Sequence, residues 1–363
     1  MMRVVVLGGT GNFGARIVRT LREEQGAEVL AAGRSVSRDS SGSSQTVALD
    51  VTHAGFPAAL RALSPQIVIH CVGPFQGQHY KVAQAALAAG ANYLDLADGR
   101  DFVAGFSAAN DDYARSCGRT AITGASTLPA LSSAVVDYLG ASFASLDSIE
   151  IAIAPGQGAP RGVATLQAVF SYLGRPVRVR ENGRWEMRTG WMDLRRVPLA
   201  SGSRWGALCD VPDLELFPRR YPSVRTVRFH AALEFAIQHA ALWLLAGLTR
   251  LGVPVPMQRY AKSLHHAAGW FDRFAGPWGG MRVSATGRCA DGTQVRKTWQ
   301  LRAPAADGPE IPCMAAILLA QRMLRGEPFA PGAYPCMGFL ALDAFVPGFA
   351  RWKMQTSLSE EPA

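Results

Sequence analysis

Near its start the chain reads Val4-Val5-Val6-Leu7-Gly8-Gly9-Thr10-Gly11-Asn12-Phe13-Gly14. The apolar run before Gly8 is typical of a strand buried on both faces of a parallel sheet. The glycines that follow form the pattern G-x-G-x-x-G, and apolar residues then recur at helical spacing. A strand, a glycine turn and a helix are the context in which this pattern binds a dinucleotide pyrophosphate. A turn without a ligand is the alternative. The predicted pyrophosphate-binding residues are Gly9, Thr10, Gly11, Asn12, Phe13 and Gly14.

The first 125 residues alternate short apolar runs with helical patterns, which predicts an α/β fold with a doubly wound parallel sheet of Rossmann type. The predicted strands cover 3–7, 28–32, 46–49, 66–71, 93–96 and 120–123. Ligands of such sheets lie beyond the carboxyl ends of the strands. We therefore expect the loops that follow these strands to be neighbours.

Arg34 follows the second predicted strand, where an NAD-specific domain would place an acidic residue on the ribose 2′-hydroxyl. The planar guanidinium suits a 2′-phosphate instead, and Ser35 offers a further donor. The sequence therefore favours NADP over NAD, although Arg34 could also simply begin a polar surface loop. After the third strand, Asp50 or the adjacent backbone at Val51 is placed to meet the adenine amino group.

The chain has 363 residues, of which 48% are hydrophobic and 18% charged, so we expect a globular protein of about two domains. Residues 1–129 form the predicted dinucleotide-binding domain. Hairpin patterns then replace the alternation, which places a second α+β domain, with a mixed or antiparallel sheet, at 130–305. A helix is predicted at 312–325, and we expect 306–350 to return and pack on the first domain. Residues 357–363 are expected to fray.

The second domain contains two predicted hairpins. Asn182-Gly183 favours a type I′ turn between the alternating runs 177–181 and 184–188. The other hairpin joins 281–287 to 294–301. We expect one face of the first hairpin to carry its four apolar residues, Val177, Val179, Trp185 and Met187.

Residues 235–248 contain no Asp, Glu, Lys or Arg. Fourteen residues are too few to span a bilayer, which needs about 20. We predict a buried helix, with a dimer interface or a shallow membrane contact as the alternatives.

The formal net charge is +9, and much of it comes from 175–228, where twelve Arg stand against six acidic residues. Such a strip can attract anions, but no nucleic-acid reader motif accompanies it, so we expect a solvated face and no nucleic-acid partner. Neither His239 nor the pair His265-His266 has a partner at metal-ligand spacing, and we predict no metal site.

The six cysteines, at 71, 117, 209, 289, 313 and 336, include no C-x-x-C pair. This spacing argues against a zinc ribbon or a disulfide scaffold and favours reduced thiols. The chain runs from Met-Met-Arg straight into a strand, without an export signal. We therefore expect a cytoplasmic protein.

Six motifs together resemble the saccharopine dehydrogenase-like oxidoreductases. They are Val-Leu-Gly-Gly-Thr-Gly-Asn-Phe-Gly (6–14), Ala-Gly-Arg (32–34), Val-Gly-Pro-Phe (72–75), Tyr-Leu-Asp-Leu-Ala-Asp-Gly (93–99), Asp-Gly-Pro-Glu-Ile-Pro (307–312) and Pro-Gly-Ala-Tyr-Pro-Cys-Met-Gly (331–338). The resemblance implies an NADP-binding Rossmann domain, a substrate and dimerisation domain with a mixed sheet, a C-terminal return and a homodimer.

The chain departs from the amino-acid enzymes of that family at two places. Phe75 stands where saccharopine-forming members carry Tyr, and Leu128-Pro129-Ala130 stands where they read Asp-Pro-Gly. A hydroxyl and a carboxylate suited to an amino acid are therefore missing. Saccharopine is not the expected substrate, and a more apolar carbonyl, imine or enoyl compound fits better.

The leading hypothesis is an NADP-dependent oxidoreductase whose nicotinamide lies near Gly73, Pro74 and Phe75. Hydride transfer is the cofactor's chemistry, so the protein must supply orientation and a proton donor. The candidates, Tyr80, Asp98 and Arg100, each have a structural alternative: a half-buried helix residue, a helix cap and the surface partner of that cap. Two other functions stay open. One is a redox sensor that binds NADP(H) and a protein partner without turnover, and the other is a membrane-surface scaffold that uses helix 235–248 and the arginine-rich strip 175–228.

Overall fold

The computed structural model describes residues 1–34, 46–160, 162–253, 266 and 269–363. It divides into two compact units. Unit 1 contains residues 1–131 and 310–340, and unit 2 contains 132–309 and 341–363. The chain therefore completes most of unit 1, builds unit 2, returns to unit 1 for one helix and one strand, and ends in unit 2.

Unit 1 is built on a seven-stranded sheet in the order β15-β6-β5-β4-β1-β2-β3, and every recorded pairing in it is parallel. This confirms the predicted doubly wound parallel sheet. The order reverses between β1 and β4, so the loops after these two strands flank the crevice in which such folds bind ligands. The strands are β1 (Met2–Leu7), β2 (Ala27–Gly33), β3 (Thr46–Ala48), β4 (Ile67–His70), β5 (Asn92–Asp95), β6 (Thr120–Thr123) and β15 (Gly332–Pro335).

Helices cover this sheet in two groups. In one, α1 packs against α9, and in the other α3 contacts both α2 and α4. The apolar residues of α1 at 17, 18 and 21 are buried, as their helical spacing predicts. The helix α9 begins with proline near its first position, as predicted. The helices of unit 1 are α1 (Gly14–Leu21), α2 (Phe56–Ala62), α3 (Lys81–Ala88), α4 (Arg100–Ser116) and α9 (Ile311–Leu324).

Unit 2 contains a nine-stranded mixed sheet, as predicted. Its main path runs β10-β11-β12-β7-β13-β14-β16, and β8 pairs with both β12 and β9. Only the β12–β7 pairing is parallel among those recorded for the described strands. The strands are β7 (Ser145–Ala154), β8 (Pro176–Glu181), β9 (Arg184–Thr189), β10 (Leu194–Val197), β11 (Arg204–Leu208), β12 (Thr226–Ala232), β13 (Trp278–Arg288), β14 (Gln294–Pro304) and β16 (Gln355–Pro362).

One helix of unit 2 differs from its prediction. Of the fifteen residues in α8 only His239 and Ala246 are buried, so the expectation of a buried helix over 235–248 is wrong. No helix among the described residues is long and apolar enough to cross a membrane. The helices of unit 2 are α5 (Ser132–Gly140), α6 (Val163–Tyr172), α7 (Asp213–Arg220), α8 (Ala236–Arg250) and α10 (Val346–Arg351).

The first predicted hairpin is confirmed, but its faces are not. Asn182-Gly183 forms the two-residue turn, and Glu181 pairs with Arg184. This register places Trp185 opposite Arg180, on the face that the arginines of β8 occupy. Directly opposed residues share a face, so the prediction that all four apolar residues share one face is wrong by one position.

The end of the chain is also more ordered than expected. Residues 355–362 form β16, which pairs antiparallel with β14 along its whole length. Every residue of β16 is exposed. The prediction that 357–363 frays is therefore wrong, because backbone pairing rather than side-chain burial holds the strand.

The arginine-rich strip at 175–228 is largely compensated by carboxylates of the same unit. Glu181, for example, pairs with both Arg188 and Arg228. Glu215 likewise pairs with Arg178 and Arg219. The strip therefore presents less positive charge than its composition indicates.

Candidate functional site

The glycine loop after β1 is shaped by two packing requirements. A Cβ on Gly9 would come within 2.7 Å of the Cα of Ala31 and 2.8 Å of the carbonyl oxygen of Val6. A Cβ on Gly14 would collide with the carbonyl oxygen of Gly8. Only glycine fits at these two positions, where the turn closes on the sheet and on α1.

Gly11 is different, because packing restricts this position much less. A Cβ at this position would meet a single protein atom, the carbonyl oxygen of Gly8, at 3.2 Å. The backbone of Gly11 also lies outside the left-handed region. A side chain would instead fill the space beside the loop, which is where a pyrophosphate approaches the backbone in this motif. The loop therefore fits a dinucleotide.

A cluster of ion pairs that was not predicted from the sequence holds the glycine loop in place. The guanidinium of Arg16 donates to the carbonyl oxygen of Asn12 at 2.6 Å and to its Oδ1 at 2.8 Å. The buried carboxylate of Glu310 pairs with Arg16 at 3.1 Å and with Arg19 at 2.6 Å. Phe13 accepts a hydrogen bond at its carbonyl oxygen from the Cys313 thiol at 3.5 Å. The start of α9 thus fixes the loop, while Thr10 remains exposed.

The predicted adenosine end lies at the carboxyl ends of β2 and β3, which are neighbours. Arg34 is exposed there, and its charge is close enough to lower the pKa of Asp50. The larger cause of that lowered pKa is Thr52, whose backbone N–H and hydroxyl donate to Asp50 Oδ1 at 2.9 and 2.7 Å. Val51 is half-buried between them. Ser35 lies outside the described residues.

The predicted nicotinamide loop follows β4 and lies beside the glycine loop. A Cβ on Gly8 would come within 3.1 Å of Val72 Cγ2. The amide of Gln78 donates to the carbonyl oxygens of Val72 at 2.8 Å and Pro74 at 2.7 Å, which pins the loop. Gly73 is half-buried, and the three atoms nearest to where its Cβ would be, at 3.8–4.0 Å, all belong to Phe75 of the same loop. The backbone of this loop is therefore the part available to a cofactor.

Phe75 has an internal role. Its side chain is buried and packs against His70, with ring centroids 5.1 Å apart, and against Phe102 at 5.4 Å. The ring thus anchors the loop in unit 1, and only its backbone can face the crevice.

Asp98, the first candidate proton donor, lies next to that loop. Its Oδ1 accepts a hydrogen bond from the side-chain amide of Gln76 at 3.3 Å. The residue is exposed, yet protein atoms crowd its carboxyl and raise its pKa above the usual range, against the opposing effect of Gln76. The helix-cap alternative does not hold, since Gly99 is the N-cap of α4 and no side chain caps that helix.

The other two candidates are more structural. The hydroxyl of Tyr80 donates to the carbonyl oxygen of Phe102 at 3.0 Å, and its ring packs on Phe102 and Phe106. Its half-buried position at the start of α3 matches the structural alternative. Arg100 is the first residue of α4 and is 93% buried, so it is not a surface partner of Asp98.

Asp95, at the end of β5, is another residue that was not predicted from the sequence. It is fully buried, and its Oδ1 accepts three hydrogen bonds, from the backbone N–H groups of Ala97 (2.9 Å) and Gly124 (2.7 Å) and the hydroxyl of Thr123 (2.9 Å). The carboxyl thereby joins the ends of β5 and β6. The sequence did offer a signal for this role, namely an aspartate at the carboxyl end of a mostly apolar predicted strand.

A further buried pair lies beside Asp95. The Nδ1 atom of His70 lies 3.1 Å from the hydroxyl of Tyr93, and both side chains are buried. Burial lowers the pKa of His70 to about 4, so this histidine is neutral near pH 7. Burial also raises the pKa of Tyr93, and the charge of Asp95 adds to that rise.

The pH dependence of stability should reveal Asp95. Burial raises its pKa from 3.8 to about 6, while hydrogen bonds from Gly124, Ala97 and Thr123 oppose the rise. Between these two pKa values the folded state binds the extra proton, so stability falls as pH rises from about 4 to about 6. We expect wild-type protein to lose about 2–3 kcal/mol relative to Asp95→Asn over this interval. Thermal unfolding of both proteins at each pH measures the difference, and parallel pH curves would contradict it.

Among the described residues, no three His, Cys, Asp or Glu side chains are grouped as metal ligands. All six cysteines are free thiols. The candidate site in the described part of unit 1 therefore consists of backbone loops, the carboxyls of Asp95 and Asp98, and the exposed guanidinium of Arg34.

Comparisons with known proteins agree with this geometry. Residues 4–152 match the family model of the saccharopine dehydrogenase NADP binding domain. A search of curated proteins finds no match to the chain.

Several solved structures share the fold. Saccharopine dehydrogenase (L-Glu forming) from Saccharomyces cerevisiae, in its apo form, is 12% identical, with a TM-score of 0.70 over 99% of this chain and 100% of that one. Homospermidine synthase from Legionella pneumophila, in complex with NAD, is 10% identical, with a TM-score of 0.63 over 99% of this chain and 91% of that one. An engineered D-amino acid dehydrogenase bound to NADP+ is 14% identical, with a TM-score of 0.51 over 95% of this chain and 98% of that one.

At these identities the structures show a shared fold only. The family match rests on the sequence of residues 4–152 itself, which includes the glycine loop, Arg34 and both carboxyls of the site. The predicted resemblance is thereby confirmed over residues 4–152, where the chain matches the saccharopine dehydrogenase NADP binding domain.

Proposed function

We propose that this protein is an NADP(H)-dependent oxidoreductase that transfers a hydride to or from a small, fairly apolar carbonyl, imine or enoyl substrate. The observation that carries the proposal is Gly11, a glycine that packing restricts far less than Gly9 and Gly14 of the same loop. The family match over 4–152 and the NAD and NADP+ complexes of two structural neighbours support a nicotinamide cofactor.

NADP is proposed over NAD because of Arg34. Its exposed guanidinium follows β2, at the position where an NAD-specific domain needs an acceptor for the ribose 2′-hydroxyl. A guanidinium has only donors, which suit a phosphate.

When bound, the nicotinamide supplies or accepts the hydride. The residues of this chain have three tasks. The loop at 73–75, pinned by Gln78, orients the ring, and the Asp95 carboxyl holds the adjoining strand ends in place. Asp98 carries the proton that a reduced carbonyl, imine or enoyl group must receive. Its raised pKa favours the protonated form that a general acid needs.

The substrate class follows from what the chain lacks. Phe75 offers no hydroxyl, because its ring is buried among His70 and Phe102. Leu128 and Ala130 are buried apolar residues where amino-acid enzymes of the family read Asp-Pro-Gly. Neither position can bind the charged groups of an amino acid, so an apolar substrate is favoured.

Cofactor choice is tested by Arg34→Asp. The change removes charge-assisted hydrogen bonds to the 2′-phosphate and adds a repulsion, so we expect NADPH binding to weaken by roughly 3 kcal/mol, about 100-fold. NADH binding should change little. Calorimetric titration with both cofactors measures the effect.

Arg61→Asp is the matched control. Arg61 is an exposed arginine in the last turn of α2. That turn leads to Leu63, whose carbonyl oxygen accepts a hydrogen bond from Arg3 near the amino end of β1, whereas Arg34 follows the carboxyl end of β2. Arg61→Asp makes the same change of charge as Arg34→Asp and should leave the affinity for NADPH unaltered. If both variants weakened NADPH binding equally, the effect would come from the net charge of the protein, and Arg34 would not be the residue that binds the 2′-phosphate.

Activity is tested by following NADPH oxidation with a panel of enoyl, keto and imine compounds of increasing chain length. Matched amino-acid substrates, including saccharopine in the reverse direction, form the second arm. We expect turnover confined to the apolar arm. Turnover of the amino acids alone would refute the proposed substrate class, and NADPH binding without turnover of any compound would favour the redox-sensor hypothesis.

A further inference from the structure

The outward side of α8 lacks the polar face that a surface helix has in water. Eight of its fifteen residues are exposed, and Arg250 is the only charged residue among them. The large exposed side chains on and just after the helix are Ile237 (66%), Trp243 (37%), Leu244 (59%), Leu248 (42%), Leu251 (80%) and Val253 (45%). A contiguous apolar surface of this kind marks an interaction site.

The segment at 269–274 extends this surface. Phe271 packs against Phe235, at the start of α8, with ring centroids 5.3 Å apart. Trp270 and Phe274 are exposed beside it. We call α8, Leu251, Val253, Trp270 and Phe274 together the α8 face. The helix alone is about 22 Å long at 1.5 Å per residue, so the apolar surface extends well beyond a single contact.

Among the described residues, the charges exposed around the α8 face are those of two arginines and one aspartate. Arg250 and Arg273 are exposed, at opposite ends of the α8 face. Two carboxylates lie nearby. The half-buried Glu234 accepts a hydrogen bond from the backbone N–H of Gln157 at 2.7 Å, and the exposed Asp272 accepts one from the side-chain amide of Gln157 at 2.8 Å. The described rim therefore carries an excess of positive charge, which suits anionic headgroups and disfavours pairing with a second copy of the same rim.

We propose that the α8 face docks on the surface of a lipid bilayer that carries anionic headgroups. The helix lies in the interface with its apolar side chains among the acyl chains, since it is too short to cross. Trp243 and Trp270 are suited to the level of the headgroups, where amphipathic indole rings are favoured. Arg250 and Arg273 contact the phosphates.

Vesicle flotation tests the proposal with the full chain. Phosphatidylcholine vesicles that contain phosphatidylglycerol should carry wild-type protein upward, and vesicles of phosphatidylcholine alone should carry less. The double variant Leu244→Gln with Leu248→Gln should bind at least about tenfold more weakly to both. Arg250→Gln with Arg273→Gln should lose roughly 20-fold on anionic vesicles and little on neutral ones.

Leu358→Gln is the matched control. Leu358 is 53% exposed, lies on β16 of the same unit and is outside the α8 face. It should bind vesicles like the wild type. All four substituted side chains of the α8 face are exposed, so thermal unfolding should be unchanged, which separates lost docking from lost folding.

Three results would overturn the proposal. One is the absence of flotation with anionic vesicles, and another is equal loss of binding in the Leu358→Gln control. The third combines two observations: the wild type sediments as a dimer and does not bind vesicles, and the double leucine variant sediments as a monomer. That last result would assign the α8 face to a second copy of the chain.

Discussion

Gly11→Val is expected to abolish NADPH binding while unit 1 stays folded. The new side chain would occupy the space that the pyrophosphate needs beside the glycine loop. The protein can accommodate the Cβ after a small shift, because it would meet only the carbonyl oxygen of Gly8, at 3.2 Å, and the backbone of Gly11 lies outside the left-handed region. Calorimetric titration measures the loss of binding, and thermal unfolding measures the retained fold.

Gly9→Val provides the contrast. A Cβ there would press on the Cα of Ala31 at 2.7 Å, so this variant should lose stability as well as binding. If Gly11→Val bound NADPH normally, the loop would be a turn without a ligand. If it unfolded unit 1 as Gly9→Val does, the glycine would have a packing role, and the fit to a dinucleotide would lose its support.

Asp98→Asn is expected to lower kcat by about 100-fold or more, the typical contribution of a general acid. The amide keeps the shape of the side chain but cannot deliver a proton. NADPH affinity should hardly change, because the carboxyl contacts Gln76 rather than the glycine loop. Steady-state kinetics with any substrate from the apolar panel, together with a cofactor titration, measure both quantities.

The pH profile distinguishes the acid from a merely structural residue. Crowding raises the pKa of Asp98, and a general acid works in its protonated form. The wild-type rate of reduction should therefore fall as pH rises through that pKa, and Asp98→Asn should lose this dependence. Asp101→Asn, an exposed neighbour in the first turn of α4, is the control and should keep both rate and profile. Full turnover by Asp98→Asn would exclude Asp98 as the acid.

The sequence predicted unit 1 well because its strands are short apolar runs between clear turn signals. The predicted strand at 120–123 matches β6 residue for residue. The strand β15 was missed for a physical reason: Gly332–Pro335 has four residues, ends in proline, and is a strand only because the returning chain pairs with β6. Local pattern carries no information on such long-range pairing.

In unit 2, the pattern of apolar and polar side chains and the pairing of the backbone give different results. The hairpin at 177–188 was recognised from its turn, yet its faces were assigned by the alternation within each strand. The register between the two strands decides which side chains share a face. The two-residue turn places each valine of β8 opposite a charged residue of β9 rather than opposite Trp185 or Met187. Arg178 lies 4.5 Å from the ring centroid of Trp185 as a result. The exposure of α8 could not be predicted either, because the apolar run 235–248 is equally compatible with a buried helix and with an exposed one.

The candidate site was predicted as a set of loops more reliably than as a set of side chains. The loops after β1 and β4 do meet, as strand order requires, and Arg34 and Asp50 lie close enough to interact. The roles of single residues depend on contacts that sequence does not encode locally. The hydroxyl of Tyr80 donates a hydrogen bond to a backbone carbonyl oxygen, and Asp95 links two strand ends that are 28 residues apart in the chain.

Titration of the wild-type chain with NADPH and, in parallel, with NADH tests the central claim most directly. The glycine loop and Arg34 predict one site per chain that binds both cofactors, with NADPH held tighter by roughly 10- to 100-fold through the 2′-phosphate. Binding of neither cofactor, or equal binding of both, would contradict it.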